Sequence, residues 1–98
     1  MSEVVITERI FRFVCDWFGV TKGEILSRCR RRVLVDARTV WCYAMRRHTK
    51  MSLQEIGRGI NRSHADVIHH LVKGSEWKRE KMLNPNCHDA IAQVALSL

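Results

Sequence analysis

Several patterns are absent from this sequence of 98 residues, and each absence excludes a class of protein. No apolar stretch approaches the roughly 20 residues that a membrane-spanning helix needs. The N-terminus lacks the basic region, apolar run and small-residue cleavage site of a secretory signal. No segment alternates apolar and polar residues as a half-buried strand does, and none repeats. We therefore expect one all-helical domain over residues 1–98, located in the cytoplasm.

The sequence also lacks the side-chain groupings of metal sites and enzymes. Its four cysteines form no CxxC pair and, without a secretory signal, are interpreted as reduced thiols. Cys87 and His88 are adjacent, but no second clustered pair accompanies them, so zinc is not predicted. The carboxylates are scattered, and no GxxxxGK[ST] phosphate-binding loop occurs. We predict a protein without a cofactor, a metal or a catalytic activity, ATPase activity included.

Negative charge is almost absent between Ser27 and Lys50. That segment carries eight basic residues against one acid, Asp36, whereas the rest of the chain carries nine of each sign. A solvated surface usually carries charges of both signs, so a segment with almost only positive charge favours a polyanionic partner. Four of the arginines fall within the hexapeptide SRCRRR. Because these charges repel one another and cannot pack inward, we predict a loop or a frayed helix start there.

Helical periodicity and capping signals divide the chain into short helices. We predict helices over residues 2–18, 21–26, 33–48, 52–60, 63–74, 75–83 and 88–97. Gly19 is expected to end the first helix. Thr21 and Ser52, each with a glutamate three residues later, are expected to form capping boxes at the second and fourth.

The last two predicted helices extend the domain at its C-terminal end. The helix over 75–83 is charged, and we expect Trp77, Met82 and Leu83 to anchor it. The sequence Asn-Pro-Asn at 84–86 is expected to end this helix. The final amphipathic helix either completes the core or serves as a docking surface for a protein partner.

Two short helices with a tight connection lie near the middle of the chain. Gly57 and Gly59 fall late in the first, where glycine allows close approach of another helix. Asn61 and Arg62 make the connection, and Ser63 is a suitable N-cap for the second helix. This is the pattern of a helix-turn-helix. The arginine-rich segment upstream favours a DNA reader over a plain helical hairpin.

The start of the second helix is where a helix-turn-helix contacts base edges. Ser63, His64 and Ala65 occupy those positions, and we predict them as base contacts. The His64 imidazole can donate and accept hydrogen bonds, and the Ala65 methyl can pack against the methyl group of thymine. His69 lies one turn further on. Of the adjacent His69 and His70, one must point away from any given surface.

The stretch from residue 14 to about residue 79 resembles the C-terminal DNA-binding domains of bacterial DnaA replication initiators. The similarity covers WFGVTKGEILSRCRRR, then DAR and a helix ending in RRHT, then SLQEIGRGINRSHADVIHH. In the family the corresponding signatures read Ser-Leu-Pro-Glu-Ile-Gly and Arg-Asp-His-Thr-Thr-Val-Leu-His. The resemblance implies a Trp-repressor-like helix-turn-helix that binds duplex DNA. Its arginine loop would enter the minor groove and its second helix the major groove. Residues 84–98 would form a C-terminal helical extension of this core.

The resemblance also implies individual site residues. Arg30 matches the family's minor-groove arginine and joins the predicted base contacts. Arg38, Thr39 and Arg46 match positions that touch DNA or lie next to it. The predicted contacts to the DNA backbone are Arg28, Arg31, Arg32, Arg38, Thr39, Arg46, Arg62 and His69.

The sequence departs from the family pattern at the turn and at the start of the second helix. Ser63 replaces an aspartate, which removes an acceptor for the cytosine amino group. Ala65 replaces a threonine, Gln54 replaces a proline, and Asn61 replaces a glycine pair. These departures bear on which DNA sequence is recognised. They also motivate an alternative, a DnaA-like protein-interaction module or regulator that has lost specific readout. RNA binding is disfavoured because the aromatic residues fall at core positions.

The expected partner is therefore double-stranded DNA, with no membrane association, in the regulation of replication or transcription. We expect the protein to be associated with the nucleoid, and the final helix is the candidate surface for a protein partner if it does not complete the core. The sequence leaves the oligomeric state open.

Overall fold

Helices make up most of the computed structural model, which describes residues 2–98. The α-helices are α1 (Glu3–Phe18), α2 (Lys22–Leu26), α3 (Arg32–His48), α4 (Leu53–Gly59), α5 (His64–Arg79) and α6 (Pro85–Leu96), with a 3₁₀ turn at Lys81–Leu83. The predicted all-helical class is confirmed. Within residues 2–98 no helix combines the length and the apolar character needed to cross a membrane.

Local capping signals set several of these bounds. α1 ends at Gly19, whose φ of 66° lies in the left-handed region that glycine adopts without steric penalty. At the start of α2, Thr21 Oγ1 accepts from the Glu24 backbone N–H at 3.1 Å, and the Glu24 carboxylate accepts from the Thr21 N–H at 3.0 Å. Ser52 and Glu55 make the same reciprocal pair at α4. Both predicted capping boxes are confirmed.

α3 lies at the centre of the fold and packs against each of the other five α-helices. Its apolar side chains are buried around most of its circumference. The Trp41 ring lies 4.9 Å, centroid to centroid, from the ring of Phe11 on α1, and it also covers Gly59 of α4. A helix enclosed in this way has few exposed positions in its middle. Only its two ends reach the surface with charged residues.

The region after Gly74 differs from the prediction. We expected one helix to stop at Gly74 and another to begin at Ser75, but α5 runs through both to Arg79. Gly74 is buried against Tyr43, and a Cβ at Gly74 would lie 2.9 Å from Cδ2 of that ring. The glycine therefore allows α3 and α5 to approach each other, and it does not end the helix.

The C-terminal helix begins earlier than predicted, at Pro85. Proline is well suited to the first turn of a helix, because the N–H that it lacks would have no partner there. Asn84 Oδ1 accepts from the Cys87 N–H at 3.1 Å and caps α6. Met82 and Leu83, predicted as anchors, are 80% and 59% exposed, whereas Trp77 is buried.

α6 completes the core. Its buried face consists of Cys87, Ala90, Ile91 and Val94, packed against α3 and α1. Trp17 Nε1 donates to Asn86 Oδ1 at 3.1 Å, which ties the end of α1 to the start of α6. The sequence left open whether this helix is part of the core, and its buried face shows that it is.

Candidate nucleic-acid interface

The turn between α4 and α5 is tight because of Gly57. The Arg62 N–H donates to the Gly57 carbonyl at 2.8 Å, and a Cβ at Gly57 would lie 2.4 Å from the Arg62 carbonyl oxygen. No side chain fits between these backbone atoms. Asn61 has φ 58°, a left-handed conformation that asparagine tolerates better than most residues. Gly57 and Asn61 together bring the start of α5 directly onto the end of α4, as a helix-turn-helix requires.

The start of α5 presents a row of exposed residues. Ser63 Oγ accepts from the Asp66 N–H at 3.3 Å, which satisfies one of the free N–H groups of the first turn. Ser63, His64, Ala65 and Asp66 are all exposed. The Asp66 carboxylate does not return the capping bond and lines a neighbouring cleft. The three predicted base contacts on this helix therefore lie where another molecule can reach them.

The two adjacent histidines of α5 face opposite ways. His69 is exposed, whereas His70 is buried with its Nδ1 2.7 Å from Oγ1 of Thr39 on α3. Burial, with a smaller contribution from His69, lowers the pKa of His70 to about 4. His70 is therefore neutral at pH 7 and packs α5 onto α3. Of the two, only His69 is available for the predicted backbone contact.

Residues 27–31 form the predicted loop, and we call this segment the arginine loop. The buried guanidinium group of Arg38 binds this loop from the core side, and Arg38 is only 2% exposed. That group donates to four backbone carbonyls, those of Glu24, Ile25, Ser27 and Cys29, at 2.7–3.1 Å. The first two lie in α2, whose last carbonyls have no partner within the helix.

The structure corrects the expectation for Arg38 and Thr39, which we predicted as contacts to the DNA backbone. Both side chains are buried. Arg38 binds the arginine loop, and Thr39 binds the Val35 carbonyl and His70. A phosphate cannot reach either group without displacing these partners. Their role is to position the segments that lie in front of them.

The exposed arginines of this region fall into two groups. Arg31 forms an ion pair with Glu24 at 2.5 Å, and Arg32 forms one with Asp36 at 3.1 Å. Within residues 2–98, Arg28 and Arg30 have no acidic partner within ion-pair distance. Surface ion pairs contribute little to stability, so all four can turn toward a polyanion, and Arg28 and Arg30 need break no bond to do so.

A polar cleft of about 370 Å³ separates the arginine loop from the start of α5. Its walls come from these two segments and from the turn between α4 and α5. The lining residues are Arg28, Arg30, Asn61, Arg62, Ser63 and Asp66. The structure thus brings together four predicted site residues that span 36 positions of sequence, from 28 to 63.

The remaining predicted residues lie around this cleft or beyond it. His64 and Ala65 continue along the exposed start of α5, and Arg46 is exposed near the C-terminal end of α3. The sequence did not single out Asp66 as a site residue. Among residues 2–98, no three His, Cys, Asp or Glu side chains are grouped to hold a metal ion.

Comparison with known proteins places this arrangement in a family. Residues 7–73 match the family described as the bacterial dnaA protein helix-turn-helix. The chain is 43% identical over 94 residues to the chromosomal replication initiator protein DnaA of Oleidesulfovibrio alaskensis, which covers 95% of this chain and 20% of the relative. It is 42% identical over 60 residues to the DnaA protein of Desulfatibacillum aliphaticivorans, which covers 61% of this chain and 13% of the relative.

The chain spans about a fifth or less of the length of these relatives. The part that it matches is the helix-turn-helix, a DNA-binding module without catalytic residues. The all-helical fold described above is that of such a module. The chain belongs to the DnaA C-terminal helix-turn-helix family, and this membership implies binding of double-stranded DNA.

Proposed function

We propose that this chain binds duplex DNA with sequence preference, with the start of α5 in the major groove and the arginine loop in the adjacent minor groove. The observation that carries the proposal is the polar cleft between these two segments, which three arginines line. Neighbouring grooves are separated by one sugar-phosphate strand, so a protein that uses both must straddle that strand. A cleft lined by Arg28 and Arg30 suits this strand, because arginine binds phosphate in bidentate geometry.

The base contacts in this proposal come from both walls of the cleft. Arg30 enters the minor groove, where a cation is attracted by the negative potential of narrow A·T-rich segments. His64 meets a base edge as donor or acceptor, Ser63 a base edge or a phosphate, and Ala65 a thymine methyl group.

The backbone contacts come from exposed basic residues near the cleft and, for Arg46, from the C-terminal end of α3. Arg28, Arg31 and Arg32 flank the strand on the loop side, and Arg46 and His69 lie on α3 and α5. If about five phosphates are neutralised, the logarithm of the affinity falls against the logarithm of salt concentration with a slope of about −4 to −5.

The proposal is tested by selection from a pool of random duplexes at physiological salt. We expect a recovered motif that reflects two adjacent contact regions. Arg28→Ala should weaken binding to all sequences alike and reduce the salt slope by about one. His64→Ala should flatten the preference at one or two base pairs, with a cost of about 1–3 kcal/mol on the best site. Arg12→Ala, which removes the same charge from the exposed face of α1, is the control and should change neither the salt slope nor the base preference.

A second candidate is a protein-interaction module that has kept the fold without specific readout. The exposed carboxylate of Asp66 favours it, because a negative charge at the cleft repels phosphate. Exposed Leu96 on α6 offers an apolar contact for a protein partner. If the pool yields no enriched motif and every duplex binds weakly with strong salt dependence, this second candidate is favoured.

Three further points belong to the proposal. Residues 14–79 form the DnaA-like core, and residues 84–98 extend the same domain, which is supported by the packing of α6 on α3. The chain acts in the regulation of replication or transcription, in association with the nucleoid and without ATPase activity. Limited proteolysis tests the first point, because after cleavage in the exposed turn between residues 79 and 84 the fragment that carries α6 should remain bound to the core.

A further inference from the structure

Arg62 lies at the centre of the interface but is directed inward. It is partly buried, and its guanidinium donates to three backbone carbonyls. Two of these belong to its own turn, at Ile60 (3.4 Å) and Asn61 (3.1 Å). The third is the carbonyl of Ser27 in the arginine loop, at 2.7 Å. One side chain thus joins two segments that are 35 residues apart in sequence.

The bond to Ser27 also involves the buried Arg38. The Ser27 carbonyl accepts from Arg38 at 2.8 Å as well as from Arg62 at 2.7 Å, so it is held from α3 and from the turn at once. Two guanidinium groups on one carbonyl repel each other. The arrangement is tolerated because each group is shared among several carbonyls, and bonds from a charged donor are stronger than neutral ones.

These contacts distinguish Arg62 from the other arginines at the cleft. Arg28 and Arg30 are exposed, with no acidic partner among residues 2–98, and they keep their donors for a ligand. Arg62 has already committed both of its terminal nitrogens to backbone carbonyls. Its planar, forked geometry suits this bridging, whereas a lysine carries all of its donors on one nitrogen.

We propose that Arg62 is a positioning residue that fixes the arginine loop to the helix-turn-helix turn, so that the spacing between Arg30 and His64 is set before DNA binds. The attachment itself is a property of the free protein. Its consequence for DNA rests on the function proposed above. A loop held in place has no ordering entropy to lose on binding, so its contacts add fully to the affinity.

The first test needs no DNA. Backbone amide hydrogen exchange is measured in the wild type and in Arg62→Lys, which keeps the charge but cannot bridge the turn and the loop. The reporters are the amides of Ser27 and Cys29, which donate within the loop region. We expect them to exchange about tenfold faster in the variant, the change that corresponds to loss of one net hydrogen bond. The core amides of α3 should not change.

Two further variants complete this test. Arg62→Gln removes the charge, and it should loosen the loop at least as much as Arg62→Lys does. Arg28→Lys is the matched control, because it makes the same chemical change at an arginine that bonds no loop carbonyl. Unchanged exchange at Ser27 and Cys29 in both Arg62 variants would overturn the proposal.

The second test compares binding preferences over a pool of duplexes. If Arg62 positions the loop, Arg62→Lys should reduce the sequence preference at the same base pairs where Arg30→Ala reduces it. At the base pairs where His64→Ala reduces the sequence preference, Arg62→Lys should leave it unchanged. The double variant Arg62→Lys/Arg30→Ala should then bind much like Arg30→Ala alone. If Arg62 is an ordinary phosphate contact, Arg62→Lys should bind every sequence with nearly wild-type affinity, and this result would overturn the positioning role.

The two tests separate this inference from the proposed function. A wild-type protein that selects no motif would contradict the proposed readout, while faster exchange in Arg62→Lys would still support the attachment of the loop. Normal exchange in a protein that selects a clear motif would contradict the attachment alone.

Discussion

The arginine loop and the start of α5 face the same cleft but are held in different ways. The loop has little structure of its own and depends on carbonyl bonds from Arg38 and Arg62, which are distant in sequence. The start of α5 is organised locally, by the Ser63 cap and by the regular bonds of the helix. Both present polar groups to the same cleft. The loop is therefore sensitive to changes far from the interface, and the helix start is sensitive mainly to changes within its own first turn.

This difference suits the work that each segment is proposed to do. A helix terminus places its first residues with the precision of a rigid element, which base readout needs. A loop of like charges would otherwise spread apart through repulsion. Fixing its carbonyls instead of its side chains leaves Arg28 and Arg30 free while their backbone is held.

The largest expected effect comes from Arg38→Ala, which removes the support of the loop. Four carbonyl bonds are lost, and the carbonyl of buried Ile25 is left without a partner, so the free energy of unfolding should fall by about 4 kcal/mol. Urea denaturation measures this change. Arg28→Ala, in the same loop but exposed, should alter stability by less than about 0.5 kcal/mol. Equal stability of the two variants would contradict the role of Arg38 as the support of the loop.

Gly57→Ala should come next, because it disturbs the turn that carries Arg62. The added methyl would lie 2.4 Å from the Arg62 carbonyl oxygen, which is backbone and cannot move aside cheaply. We expect a loss of about 2–3 kcal/mol in thermal or urea unfolding. Gly23→Ala is the matched control in α2. Its methyl would meet nothing closer than Thr21 Oγ1 at 3.8 Å, so the gain in helix propensity should stabilise the protein by up to about 1 kcal/mol.

A pH titration of stability tests the packing of α5 onto α3 through His70. Its pKa is about 4 in the folded protein, against 6.5 for an unperturbed histidine, so between these values the unfolded chain binds a proton that the folded protein does not. The stability that this group contributes is complete above pH ~6.5 and should decline by roughly 3 kcal/mol as pH falls toward 4.

His70→Gln is the control for this titration and should remove that part of the decline. His48, whose pKa is also lowered by burial and by Arg47, keeps its own contribution in both proteins. A decline of the same size in the wild type and in His70→Gln would show that His70 does not drive it.

Ser63→Ala should have the smallest effect and the most local one. Loss of the cap should cost about 1 kcal/mol of unfolding free energy. Amide exchange should rise in the first turn of α5 and remain unchanged in the arginine loop, which has its own supports. Ser63→Asp, also a good N-cap, should restore the stability. Faster exchange in the loop of Ser63→Ala would show that the two segments are less independent than their contacts indicate.

Much of the fold was predictable because its signals are local. Gly19, the two capping boxes and Ser63 act within four residues of their own positions, and each has the predicted role. The helix end predicted at Gly74 is wrong because a glycine in a helix has two explanations, a helix end or a close approach of another helix. The choice between them depended on Tyr43, which lies 31 positions earlier in the sequence.

Which segments form the site was predictable from the sequence, but the separate roles of their residues were not. The sequence identified a basic segment and the start of a helix, and the structure brings both to one cleft. The sequence could not show that Arg38 is buried and Arg28 is exposed, since both are arginines in the same charged region. The carbonyls that accept hydrogen bonds from Arg38 lie in α2 and the loop, up to 14 positions away in sequence.

The sequence by itself determined the helical class, the helix-turn-helix and the one-sided charge, because periodicity, caps and charge counts depend on neighbouring residues. Only the tertiary structure decided which basic groups face outward. α3 is surrounded by the other helices, so the arginine at its middle is turned toward backbone carbonyls, while the arginines of the loop before it remain in solvent. A buried guanidinium must find acceptors, and an exposed one need not. That requirement, which no local pattern expresses, separates the residues that hold the interface from those proposed to contact DNA.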